Sequence, residues 1–248
     1  MKDTVTLTGM VLVASPMKDY DKRVELLTKE RGRISAFAQG ARKPNSALSA
    51  CTIPFTFGEF QLHEGRNANN ISSGVIKNYF GDLAQDYDSL CYASYFSEMA
   101  RHLSRENIEA GEELMLLYMT FRAIQAGKVK MPLIRRIYEF RLMMLCGEGL
   151  EIFECLHCGR EDAYDVYFSE GGLVCGECAD KSGLKKKEYY QHISKDVRYT
   201  LQYIATSSLQ KLYSFNVSDN VMKELDKFMT RYLDRYLHHH FKSEEFLV

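Results

Sequence analysis

"ECLHCGREDAYDVYFSEGGLVCGECADKSG", Glu154 to Gly183, holds four of the chain's seven cysteines as two C-x-x-C pairs. Cys155, Cys158, Cys175 and Cys178 together read C-x2-C-x16-C-x2-C. Each C-x-x-C turn delivers two thiolates to one side of an ion, and a tetrahedral zinc takes four. The spacer contains VYFSEGGLV, two short β-like pieces around Glu170-Gly171-Gly172, a hairpin signal that brings the turns together. We therefore expect one structural zinc per chain, held by these four cysteines. A redox C-x-x-C comes singly, at a helix start in a thioredoxin-like unit, and the flanking pattern contains no such unit. Catalytic zinc keeps a coordination position open, which four thiolates close. His157, inside the first turn, reads as a spacer facing solvent. Metal-binding energy on the order of 10 kcal/mol acts as folding energy in such a segment, so the knuckle reads as scaffold.

On both sides of the knuckle the period is helical. Asp86–Glu106 places Leu90, Cys91, Tyr95, Phe96, Met99 and Leu103 at helical spacing. Gly111–Gly127 opens on acids and ends on glycine, and Met131–Gly149 carries Pro132 in its first turn. Beyond the knuckle, Ser194 and Ser218 are N-cap candidates for two more helices; the second carries Val221, Leu225, Phe228, Met229, Tyr232, Leu233 and Tyr236 on one stripe. The first eighty residues alternate instead, with strand candidates at Thr6–Ala14, Arg23–Thr28, Arg33–Gly40, Phe55–His63 and Asn70–Phe80. Five short strands fit a small closed barrel, because closure removes exposed edges, and an oligonucleotide-binding (OB) barrel competes here with an SH3-like one. The expected fold is α+β and multidomain. Residues 1–80 are expected to form a five-stranded barrel, OB-fold or SH3-like, 81–150 and 185–248 the two parts of a helical domain, and 151–184 an inserted four-cysteine zinc knuckle.

Composition narrows the setting. The 248 residues are 46% hydrophobic, and net charge is −1. No apolar run approaches the ~20 residues of a membrane span, and MKDTVTLTGM lacks the apolar stretch of a signal peptide. A cytoplasmic protein with reduced cysteines is expected, with Cys51, Cys91 and Cys146 as ordinary core or strand residues. Charge is uneven: residues 1–80 carry 11 Lys and Arg against 7 Asp and Glu, residues 81–150 carry 8 against 10, and the remainder 13 against 16. There is no phosphate-binding G-x-x-x-x-G-K-[ST], no G-x-G-x-x-G after a strand, no H-E-x-x-H and no G-x-S-x-G. Asp82, Asp86 and Asp88 open a helix, where acids favour the dipole. The pattern reads as binding without turnover.

The basic head carries the binding reading. In GRISAFAQGARKPNSAL, Gly32 to Leu48, a strand led by Arg33 ends at Gly40 and passes into a charged loop with Arg42 and Lys43; Lys22, Arg23 and Arg31 lie just upstream. Cations for phosphates and rings for unstacked bases are what single strands require. Phe37, Phe55, Phe57 and Phe60 are the rings in reach, although core positions claim most of such residues.

These residues resemble the RecO family of bacterial recombination mediators. The resemblance runs nearly end to end: Gly9-Met10-Val11-Leu12, then Leu26, Thr28, Gly32, Ile34 and Ala36, the loop Gly40-Ala41-Arg42 with Ser46, the Pro54-Phe55 step, and the paired cysteines. It implies an OB barrel, a helical domain and a zinc-binding insertion. It also implies a non-enzymatic role in DNA repair: binding single- and double-stranded DNA, annealing complementary strands, and working with RecR to place RecA on DNA coated by single-strand-binding protein (SSB). Lys22, Arg23, Arg31, Arg33, Arg42 and Lys43 are the expected DNA contacts. Family resemblance further implies that the acidic, Phe-ended SSB tail docks on the helical domain, and Arg135, Arg136 and Arg141 are the candidates for it. Lys181, Lys185, Lys186 and Lys187 form a further basic cluster, either a solvated linker or a DNA contact. The competing reading is a zinc-ribbon protein–protein adaptor without annealing activity.

Overall fold

The computed structural model describes residues 4–65, 68–187 and 190–247. They form two compact units, Met1–Ala126 with Phe241–Val248, and Gly127–His240.

The first unit is built on five strands: β1 (Thr4–Pro16), β2 (Lys22–Thr28), β3 (Gly32–Ala38), β4 (Thr56–Glu64) and β5 (Asn69–Tyr79). They close into a barrel in the order β1-β2-β3-β5-β4, the connectivity of an OB fold. β1 is long enough to serve two partners. Thr4–Met10 pairs with β4, and Gly9–Pro16 pairs with β2 across a bulge between Val11 and Val13. Where the two ladders overlap, Gly9 lies opposite Gly58. A Cβ on Gly9 would meet the Leu27 carbonyl oxygen at 2.7 Å, and one on Gly58 the Val75 carbonyl oxygen at 2.2 Å, so the barrel corner excludes side chains there. Two parallel pairs, Ala36 with Asn69 and Phe37 with Asn70, complete closure. Val11, Val24, Leu26, Ile34, Phe60 and Leu62 fill the interior, and α1 (Leu48–Cys51) adds Leu48 and Cys51 to the same core.

Two helices complete this unit, α2 (Tyr87–Leu103) and α3 (Gly111–Ala126). Asp86 caps α2 by accepting from the Ser89 N–H at 2.9 Å. Phe55 and Phe80 meet Phe121 of α3 edge-on at 5.4 and 5.3 Å, and Phe57 meets Tyr118 at 4.8 Å. The chain's last segment returns to α2, where Phe241 packs on Tyr95.

The second unit contains α4 (Met131–Leu145), α5 (Gly176–Ser182), α6 (Leu184–Lys187), α7 (Lys195–Thr206) and α8 (Asp219–Tyr236). A small sheet of β6 (Asp165–Tyr167), β7 (Gly172–Leu173) and β8 (Gln191–His192) runs in the order β7-β6-β8. Ser194 and Ser218 accept from the Val197 and Val221 N–H groups, as N-caps do. The apolar stripe of α8 buries Leu225, Phe228, Met229 and Tyr232, and Tyr232 meets Phe140 of α4 at 5.8 Å. No helix among the described residues is long and apolar enough to cross a membrane.

Candidate metal centre and nucleic-acid interface

The four cysteine sulfurs converge, all within 4.8 Å of one another. Local backbone forces this. The Gly159 N–H donates to the Cys155 carbonyl, and the Cys155 N–H to the Arg160 carbonyl, both at 2.9 Å, closing the first turn. The β6–β7 hairpin, turning at Gly171 with φ +84°, returns the chain so that Leu156 N–H reaches the Leu173 carbonyl at 2.9 Å. Cys175 then precedes α5, and Cys178 lies in that helix's first turn. Cys158 Sγ and Cys175 Sγ are 3.7 Å apart, and a tetrahedron with ~2.3 Å metal–sulfur bonds has edges of about 3.8 Å. The thiols are not equivalent without an ion. Burial opposes ionisation of Cys155, but N–H donors from Cys175, His157 and Cys158 outweigh it and hold that thiol at about 6. Hydrogen bonds to Cys158 and Cys175 push Cys178 up to about 12. Four thiolates crowd one another, and a divalent cation removes that repulsion. The residues present thus fit a zinc closed off by four thiolates.

The knuckle leans on the helices. The Arg198 guanidinium of α7 donates to the carbonyls of Ile152, Phe153 and Glu161, and Gln202 donates to the Ile152 carbonyl at 2.8 Å. Phe168 lies against Phe228 at 5.8 Å, and the Tyr236 hydroxyl donates to its carbonyl at 2.5 Å. Sequence reading missed Arg198. Its only signal was a charged residue one turn inside an amphipathic helix.

The six cations expected to contact DNA fall into two groups at opposite ends of the β2–β3 hairpin. Register puts Lys22 opposite Ala38 at the open end and Thr28 opposite Gly32 at the turn, about 20 Å away at ~3.3 Å per residue. At the turn, Arg31 is ion-paired with Glu64, and Arg33 lies 3.8 Å from Glu106. At the open end, Lys22 Nζ donates to Thr52 Oγ1 at 3.2 Å. Burial lowers its pKa, and neighbouring Arg42 lowers it further. Arg23 faces outward beside Phe37, donating to Ser35 Oγ at 3.0 Å with Glu25 at 4.0 Å. The Arg42 guanidinium donates to the Met17 carbonyl at 3.4 Å. Among the described residues, neither Arg42 nor Lys43 has a carboxylate within ion-pair distance. Asp21 accepts from the Gly40 N–H at 2.7 Å, and the Arg42 N–H donates to the Tyr20 carbonyl at 2.8 Å. These bonds fix the β1–β2 loop to the basic loop. Asp19, Tyr20, Gly40 and Lys43 line one concavity there.

Of the four phenylalanines, Phe55 and Phe60 are buried, and Phe57 is taken by Tyr118. Phe37, on β3, faces outward from the barrel and is half-buried. Tyr20, 53% exposed beside Arg42, was missed; a lone ring in the polar run SPMKDYDKR was its signal.

Arg135, Arg136 and Arg141 point into their own unit. Arg135 and Arg136 both pair with the fully buried Glu139 at 2.7 Å, and Arg136 Nε also reaches Asp226 of α8 at 2.8 Å. Arg141 donates to the carbonyls of Ile204 and Ala205. A carboxylate three or four residues on from each of the first two turns them inward, so a partner meets no free cation at these positions. Lys185 pairs with Asp180 at 3.0 Å and Lys181 is exposed; the side chains of Lys186 and Lys187 lie outside the described residues.

The chain thus combines a closed five-stranded OB-type barrel with helices and a four-cysteine cluster. Residues 1–80 match the family model Recombination protein O N terminal, and residues 84–245 match Recombination protein O C terminal. The chain is 29% identical to the DNA repair protein RecO of Acetivibrio thermocellus over 245 residues, covering 97% of this chain and 94% of that one. It is 30% identical to the RecO of Desulforamulus reducens over 247 residues (97% and 93%) and 29% identical to that of Clostridium perfringens over 222 residues (88% and 87%). The chain belongs to the RecO family of DNA repair and recombination proteins.

Proposed function

We propose that this chain is a cytoplasmic, non-enzymatic recombination mediator. It binds single- and double-stranded DNA, anneals complementary strands, and with RecR helps load RecA onto SSB-coated single strands. The observation that carries the reading is the open end of the hairpin, where Arg42 and Lys43 stand without carboxylate partners beside Lys22 and Arg23. An unpaired cation that meets a phosphate releases a counterion, whereas a cation already held by a carboxylate brings no net charge. Arg31 and Arg33, beside Glu64 and Glu106, therefore add less. Tyr20 and Phe37 supply exposed or half-exposed ring faces for unstacked bases. The four cysteines hold zinc as scaffold. The barrel of residues 1–80 is the DNA module; residues 81–150, 151–184 and 185–248 present partner surfaces, among them one for the SSB tail. A zinc-ribbon adaptor lacking this activity makes the opposite prediction in a gel shift. Labelled single-stranded DNA is expected to be retarded at low salt and released at moderate salt, with little dependence on sequence. Absence of any shift at low salt would favour the adaptor.

A further inference from the structure

The acidic opening of α2, unused by the DNA reading, borders an apolar cavity of about 440 Å3 within the first unit. Leu12, Val13, Ile53, Phe55 and Leu90 are among its walls. Ser97 also lines it; this side chain is 2% exposed, and its hydroxyl has no hydrogen-bond partner among the described residues. A buried hydroxyl left unpaired is destabilising, so an occupant that brings a polar atom alongside its apolar body satisfies what the protein leaves open.

The mouth sets the charge of that occupant. Gly81, Ala84, Leu90 and Ser243 belong to the lining, and the exposed carboxylates Asp82, Asp86, Asp88 and Glu245 adjoin them in sequence. Residues 80–98 contain no Lys or Arg, and residues 241–247 contain only Lys242. Arg101, at the cavity edge, is held by Glu25 at 2.7 Å. Exposed rings stand at the same mouth or next to it in sequence: Tyr79 (46%), Tyr87 (64%) and Phe246 (56%). A polyanion meets repulsion here, and so does an acidic peptide. A cationic segment meets both carboxylates and ring faces.

We propose that this cavity is a docking site for a partner protein's basic segment, which inserts a branched or aromatic apolar side chain between flanking lysines or arginines. The apolar side chain occupies the space between Leu12, Phe55 and Leu90. A backbone polar group of the segment meets the Ser97 hydroxyl, and the flanking cations meet Asp82, Asp86 and Asp88.

The test uses the full chain and an amidated, fluorescein-labelled peptide with leucine–phenylalanine between two pairs of lysines. Two control peptides replace the lysines by glutamates, or leucine–phenylalanine by two serines. The lysine-flanked peptide is expected to bind saturably, and each control about tenfold or more weaker, since one buried anchor side chain commonly carries that much. Ala84→Arg, at an exposed position, and Leu90→Trp, which fills the cavity, are each expected to weaken the lysine-flanked peptide to a similar degree. Both should leave DNA binding unchanged. The Ala84 variant keeps the test decisive should the Leu90 variant fail to fold. Equal binding of the serine peptide, preference for glutamate flanks, indifference to Ala84→Arg, or no binding overturns the proposal.

Discussion

Stripping zinc with a strong chelator is expected to loosen the second unit while leaving the barrel folded. The knuckle's sheet has strands of three, two and two residues, too short to persist alone. A structural zinc contributes on the order of 10 kcal/mol to such a segment, which is the size of a whole domain's stability. Hydrogen exchange should therefore show residues 151–184 losing protection first. The loss should then spread to α7, because Arg198 and Gln202 are hydrogen-bonded to knuckle carbonyls that will have moved. Amides of β1–β5 should keep their protection. Elemental analysis finding no zinc in purified protein, or exchange rising evenly over both units, would contradict this account of the four cysteines.

The second large effect concerns DNA. Arg42→Ala with Lys43→Ala is expected to weaken binding to all sequences alike and to flatten its salt dependence. Each phosphate that is no longer neutralised lowers the log–log slope by a little under ~1, so the double variant should lose about 2. Stability should change little, because Lys43 is exposed and Arg42 makes one long bond to a carbonyl. Fluorescence anisotropy over a salt series measures both quantities. Arg31→Ala is the internal contrast: its partner Glu64 is freed as the cation is lost, so any fall in affinity reflects added negative charge at the turn end. An unchanged slope in the double variant would remove the open end of the hairpin from the interface.

Much of this was legible in the sequence where local chemistry decides. Alternation located β2 and β3 to within a residue or two, because one face of each fills the barrel. Ser194 and Ser218 announced their helices, because a hydroxyl at that position satisfies an N–H the helix cannot. The paired cysteines announced their cluster, because two short turns and a hairpin suffice to build it. What the sequence did not show depends on non-local geometry. Closure through Ala36–Asn69 and Phe37–Asn70 rests on two residue pairs far apart in the chain. The division of the six cations follows from hairpin register, which sends Arg31 and Arg33 toward Glu64 and Glu106 and Arg42 toward Lys22. Phe55 and Phe57 were indistinguishable from stacking rings until α3 supplied Phe121 and Tyr118 to pack against them. Glu139 was visible beside Arg135 and Arg136, but its complete burial, with Asp226 closing on Arg136, needed α8 in place. The knuckle looked like a separate insertion and is packed into its unit through Phe168 and Arg198.

Screening of strand–strand repulsion by the open end of the hairpin is tested most directly by the rate at which two complementary oligonucleotides anneal. The assay is run naked and SSB-coated, with and without RecR, for the wild-type chain and the Arg42→Ala, Lys43→Ala variant. The wild-type chain should accelerate annealing, less so as salt rises from about 50 to about 200 mM, and the variant should lose most of the acceleration on naked strands. Annealing no faster than without protein, or equally fast with the variant, would contradict the account.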